Sequence, residues 1–145
     1  MMLGKDGIAA LIPHSGRMCV LDEVEDWTQT TIRALSMTHK DTDNPLARGG
    51  MLPILAGLEY GAQAAAVHDR LAVPYEGAAR DGLIVAVRAL AWSAERLDDI
   101  PGPLVAEAER HAGDGRSAVY EFRILGHDRV LLCGRITVLL KLVAA

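Results

Sequence analysis

Apolar and polar positions follow three different rhythms along this chain, and each predicts a different kind of element. Residues 6–12, DGIAALI, read as one short helix that Pro13 stops, because proline has no N–H to continue the ladder. Two apolar-rich runs between Met18 and Met37, MCVLDEVEDW and TTIRALSM, predict a pair of strands joined around residues 27–31. The stretch from His39 to Met51 carries Asp, Asn, Pro and paired Gly, and reads as a loop. Pro53 then opens one long helix that runs to about Leu71, with Pro74 beyond its end. Its apolar positions are Leu55, Leu58, Ala62, Ala65 and Val67. Gly57 and Gly61 each cost that helix about 1 kcal/mol against alanine. Glycines four apart on an alanine-rich helix predict a neighbour that passes very close, as a sheet wrapped round the helix would.

The remainder reads as β. A strand spans residues 82–95, with Leu83, Val85, Val87, Ala89 and Ala91 on one face, and residues 97–103 make a turn. Leu104 to His111 alternates, with Leu104, Ala106 and Ala108 inward and Glu107, Glu109 and His111 outward. GDG at 113–115 is a hairpin turn, Ala118, Tyr120, Phe122 and Ile124 mark the next strand, and GHD at 126–128 turns the chain again. Arg129 to Val143 is apolar almost throughout, which predicts a central strand with both faces covered. One long helix with five to six antiparallel strands is an α+β fold. With no linker, charge block or repeat, residues 1–145 read as a single domain.

Composition narrows the function. Half the residues are hydrophobic, which excludes a disordered chain, and 4% aromatics predict a core of small and aliphatic side chains. A net charge of −4 argues against nucleic acid as a general partner. No apolar run is long enough to span a bilayer, and the absence of a secretory signal predicts a cytoplasmic protein. Cys19 and Cys133 each lie in an apolar run and read as buried free thiols. No His, Cys and Asp set has metal-ligand spacing along the chain, and no glycine-rich phosphate loop is present.

Two segments resemble a known family. IPHSGRMCVLDEVEDW, residues 12–27, is similar to the opening of bacterial 3-hydroxyacyl-[acyl carrier protein] dehydratases. MLPILAGLEYGAQ, residues 51–63, resembles the start of their central helix, which carries a Glu and, four residues later, a Gln; here these are Glu59 and Gln63. The DNPL and GLEY segments look like those of the smaller dehydratase-like proteins of aryl-polyene biosynthesis clusters. The resemblance implies a hot-dog fold, a long helix wrapped by a curved antiparallel sheet. It also implies pairing through sheet edges, as a homodimer, a higher oligomer or a heterodimer with a related dehydratase, with the substrate tunnel between subunits.

What the resemblance implies chemically is loss of water from a 3-hydroxyacyl thioester. The substrate rides on the phosphopantetheine of an acyl carrier protein, and no other cofactor is needed. Such a reaction needs a base for the α-proton, an acid for the departing hydroxyl, and donors for the thioester oxygen. Glu59 matches the family's helix acid. Burial among Leu55, Leu58 and Ala62 favours its protonated form, while the helix N-terminus favours the anion. The family's loop begins His-Phe-Pro and reads Asn44-Pro45-Leu46 here, so Asn44 stands about where the histidine would and serves as a substrate contact. His39, five residues earlier, is the candidate base. Ile54 and Leu55, in the first helical turn with Ala56, are the candidate substrate and oxyanion contacts, and Gln63 would orient Glu59. His14 reads as structural and His68 as too far along the helix to pair with Glu59. Arg48, Arg80 and Arg88 are candidates for meeting an acidic carrier protein. Two other readings use the same residues: a non-catalytic subunit that completes an active dehydratase, and a hot-dog thioesterase in which Glu59 activates water.

Overall fold

A computed structural model describes residues 2–12, 18–73, 80–114 and 116–142, without the side chains of 80–82 and 140–142. The elements are β1 (Leu3–Gly4), α1 (Lys5–Leu11), β2 (Glu23–Trp27), β3 (Thr31–Ser36), α2 (Gly57–Ala72), β4 (Arg80–Trp92), β5 (Leu104–Gly113), β6 (Ser117–Gly126) and β7 (Arg129–Leu142). They build one seven-stranded sheet in the order β1-β2-β3-β5-β6-β7-β4, with every pair antiparallel. The long helix α2 packs across one face of it, in contact with β3, β4, β5, β6 and β7. This is the expected α+β arrangement with seven strands instead of five to six. The extra strand, β1, is two residues long and carries no periodicity for a sequence reading to find.

The glycine spacing on α2 has the predicted cause. A Cβ at Gly57 would stand 2.7 Å from Leu132 Cδ2 and 3.2 Å from Ile124 Cγ1. One at Gly61 would stand 2.7 Å from the Phe122 ring. The sheet therefore lies directly on the glycine face of the helix. Aromatics are few, yet Tyr60, Tyr120 and Phe122 are fully buried and are the largest side chains of the core. The small alanine and glycine positions around them make the room.

Two expectations change, and the facing of β4 is settled. Residues 18–22 are not part of the first strand, because side chains take most of their backbone groups: Val20 N donates to Gln63 Oε1 at 2.9 Å, Gln63 Nε2 donates to Met18 O at 2.8 Å, Lys5 Nζ donates to Cys19 O and Leu21 O, and Ser36 and Thr38 donate to Val20 O. The apolar face read for β4 is the exposed one. Ile84 and Leu90 pack against the core, and Leu83, Val85 and Val87 are exposed on this edge strand. With apolar residues at nearly every position, the alternation in β4 could not say which face is buried. The last strand is central, between β6 and β4, but only one face is covered, and its Arg135 and half-buried Cys133 lie on the other. Cys19 is buried as expected. Among the described residues no helix is long and apolar enough to cross a membrane. Pro13, His14, Pro74 and Gly115 lie outside the described residues.

Candidate functional site

The first turn of the long helix is prepared by a 3-10 turn, Ile54–Ala56, which follows Pro53. Pro53 bridges to Arg96, and Ile54 N donates to Glu95 O at 3.0 Å, so the helix start is tied to the chain leaving β4. Asp98 secures the same junction. Its Oδ1 accepts from Leu52 N at 2.9 Å, and its carboxylate pairs with Arg96, which holds its pKa down at about 2. Ile54 is buried and Leu55 is 52% exposed. Of the expected oxyanion donors, Ile54 N–H is committed to Glu95 O and Ala56 N–H to Pro53 O. Leu55 N–H is the member of the trio that these bonds do not use.

Glu59 follows one turn later and is half-buried. Gln63 Nε2 donates to its Oε1 at 2.9 Å. The amide of Gln63 is therefore saturated: one N–H serves Glu59, the other serves Met18 O, and its oxygen serves Val20 N. A single side chain both pins residues 18–20 to the helix and sets the orientation of the carboxyl group. Met18 and Leu55, both about half exposed, are close to this pair through those bonds and through the helix.

Asn44 is buried beside the next helix residue, Tyr60. Its Nδ2 donates to Thr38 O at 2.9 Å and to Tyr60 Oη at 3.1 Å, and its Oδ1 accepts from Leu46 N at 2.9 Å. Thr38 Oγ1 donates to Val20 O at 2.7 Å, so the Tyr60 hydroxyl gives its own proton to Thr38 Oγ1, also at 2.7 Å. The result is a directed chain, Asn44 to Tyr60 to Thr38 to Val20. Burial pushes the Tyr60 phenol up, so it stays a neutral donor. Both N–H groups of Asn44 and its carbonyl are thus occupied within the protein.

His39 is turned the other way. It is buried, and its Nε2 lies 2.9 Å from Ile100 O. A carbonyl only accepts, so the proton is on Nε2 and Nδ1 is a lone pair without a hydrogen-bond partner. Burial, the largest influence, holds its pKa below the usual imidazole value. His68 is the same kind of buried neutral ring, between Tyr120 Oη at 2.7 Å and Thr28 O at 3.0 Å. The structure thus brings Glu59 and Gln63 together and sets Asn44 against Tyr60 of the same helix, while His39 faces the loop after β4.

Sequence reasoning missed Tyr60 and Thr38, which organise the loop; their only signal was their position next to Glu59 and His39. It also missed that Glu109, His111 and Glu121, all exposed, bring one ligand atom each to within 4.8 Å of one another. That grouping arises from the cross-strand register of Glu109 and Glu121, which spacing along the chain does not contain.

Solved structures with the same fold are the dehydratase heterocomplex ApeI:P from Xenorhabdus doucetiae and two thioesterases. The first is 20% identical, with a TM-score of 0.76, covering 92% of this chain and 90% of that one. A mutant of the thioesterase PA1618 from Pseudomonas aeruginosa is 16% identical, with a TM-score of 0.58, covering 83% of this chain and 81% of that one. The thioesterase HI1161 from Haemophilus influenzae is 13% identical, with a TM-score of 0.58, covering 85% and 80%. These likenesses establish the hot-dog fold. No curated protein matches the chain. The family model of the ApeP dehydratases matches residues 7–142, nearly the whole length, and the chain therefore belongs to the ApeP-like dehydratase family.

Proposed function

We propose that this chain is one subunit of a dehydratase that removes water from a carrier-bound 3-hydroxyacyl thioester. In this reading the subunit supplies Glu59 as the acid and takes its base from a second hot-dog chain. The carrying observation is the contrast between Glu59, oriented by Gln63, and the loop position that packs against the next helix residue, Tyr60. That position holds Asn44, an amide that cannot abstract a proton and whose polar atoms are already used. His39, the expected base, is directed at Ile100 O instead.

The chemistry divides accordingly. A base on the partner takes the α-proton, the C–O bond at the third carbon breaks as the double bond forms, and the Glu59 carboxyl gives its proton to the leaving hydroxyl to make water. The proton gained by the base returns to Glu59 through solvent before the next turnover. Leu55 N–H is the donor best placed on this chain for the thioester oxygen. The relative named above is itself a heterocomplex of dehydratases, which supports an assembly of unlike subunits. The acyl group would arrive on the phosphopantetheine of an acyl carrier protein, with no further cofactor.

The test is intact-protein mass spectrometry of a 3-hydroxyacyl carrier protein. It is incubated with this chain alone, then with this chain and a related hot-dog dehydratase that carries the loop histidine. Loss of one water only in the mixture is the expected result. Dehydration by the chain alone would overturn the need for a partner, and release of free acid would replace the reading by a thioesterase.

A further inference from the structure

On the face of the sheet turned away from α2, a second site stands apart from Glu59. Arg88 and Arg135 are directly opposed partners in the β4–β7 pair, so their side chains leave the sheet on the same face. Like charges in that arrangement repel. Arg135 is partly offset by Glu121, to which it donates at 2.7 Å. Arg88 is exposed and has no hydrogen bond or ion pair among the described residues. Arg123 stands on the same face, opposite Cys133, and pairs with Glu107.

The backbone opens a hollow between these groups. Ala89 has φ 53, in the left-handed region, and the register shifts between Arg88 and Ala91. This bulge re-aims the end of β4. Opposite it lies Gly134, whose missing Cβ would point to the core side, 3.2 Å from Leu90 Cδ1 and 3.3 Å from Phe122 Cε1. The hollow has a volume of about 370 Å³, with Phe122 and Gly134 in its floor and Arg88, Arg123 and Arg135 among its walls. Glu121 is the one carboxylate that lines it among the described residues. A chain with net charge −4 thus gathers three guanidiniums round one concave surface.

We propose that this hollow binds the phosphate group of a phosphate ester. A compact tetrahedral anion suits guanidinium forks, which bond its oxygens in pairs. It would also relieve the opposition of Arg88 and Arg135, which no carboxylate of the described residues offsets on the Arg88 side. The same chemistry is offered by a free phosphomonoester and by the phosphodiester of a carrier-linked arm.

Calorimetric titration of the full chain separates these sources and tests the site. The probes are inorganic phosphate, free phosphopantetheine and a holo carrier protein beside its apo form, all at constant ionic strength with chloride as control. Saturable phosphate binding with a single site is expected, weakened tenfold or more by Arg88→Gln and unchanged by Arg116→Gln, an exposed arginine of the β5–β6 turn. Binding of free phosphopantetheine identifies a monoester site; binding of holo but not apo carrier, without the free compound, identifies the arm. Glu59→Gln leaves phosphate binding intact, so the site and the dehydratase reading fail separately. Heats no larger than those of chloride, or equal affinity in folded Arg88→Gln, would overturn the proposal.

Discussion

Gln63 Nε2 donates to Glu59 Oε1 at 2.9 Å across one helical turn, and the same amide holds Val20 N and Met18 O. The carboxyl group and the segment before β2 are therefore positioned by one side chain. Gln63→Ala strands a buried backbone N–H and is expected to cost about 1–3 kcal/mol. Urea denaturation reads this as a lowered midpoint. An unchanged midpoint would mean that residues 18–22 are held by something else.

The Asn44–Tyr60–Thr38 chain is a coupled unit. Asn44→Ala and Tyr60→Phe each remove part of the same network, so their losses should not add. A double-mutant cycle is expected to give a coupling of about 0.5–3 kcal/mol, the range for residues in one hydrogen-bond network. Strict additivity would show that the two side chains act independently.

Gly61→Ala opposes two effects. The helix gains about 1 kcal/mol of propensity. The new Cβ meets the Phe122 ring at 2.7 Å, and overpacking of this kind costs about 1–3 kcal/mol. Net destabilisation is expected, and Phe122→Leu in the same chain should recover part of it. Thermal unfolding of the single and double variants decides the matter; a stabilised single variant would contradict the close approach of helix and sheet.

Acid weakens the fold through two histidines. Burial, the largest cause in each case, lowers His39 and His68 from the ordinary imidazole value of 6.5. The unfolded chain then binds more protons than the native one below about pH 6.5, so stability rises with pH in that window. It is complete above the unfolded value and is lost as the pH falls from there toward the folded values. Urea midpoints measured between about pH 7.5 and pH 5 should fall, with a shallower fall in His39→Phe. Nitrogen-15 spectra at neutral pH should show both rings uncharged and protonated on Nε2. A charged ring in the native state would refute this assignment.

Much of this was legible because local pattern and long-range packing agree. Gly57 and Gly61 announced the close sheet, and the alternation in Leu104–His111 matched its burial. The exceptions are places where a distant group decides. Residues 18–22 looked like strand, but the side chains of Gln63, Lys5, Ser36 and Thr38 satisfy most of their backbone groups. Leu83, Val85 and Val87 could be put on one face, but an edge strand apolar on both sides has no pattern to say which face is buried. Glu59 and Gln63 could be paired from their spacing of four. The fate of Asn44 and His39 could not, since each is settled by a partner far along the chain: Tyr60 for one and Ile100 for the other.

The most direct test of the central claim is the contribution of Glu59 within an active assembly. Glu59→Gln keeps an oxygen for Gln63 to donate to, so the fold and the complex should persist. Mixed with an unaltered histidine-bearing hot-dog partner, it should dehydrate a 3-hydroxyacyl carrier protein at least about 100-fold more slowly than the unaltered chain, the lower end of the loss expected for a general acid. An equal rate would contradict the account and leave this subunit a structural one.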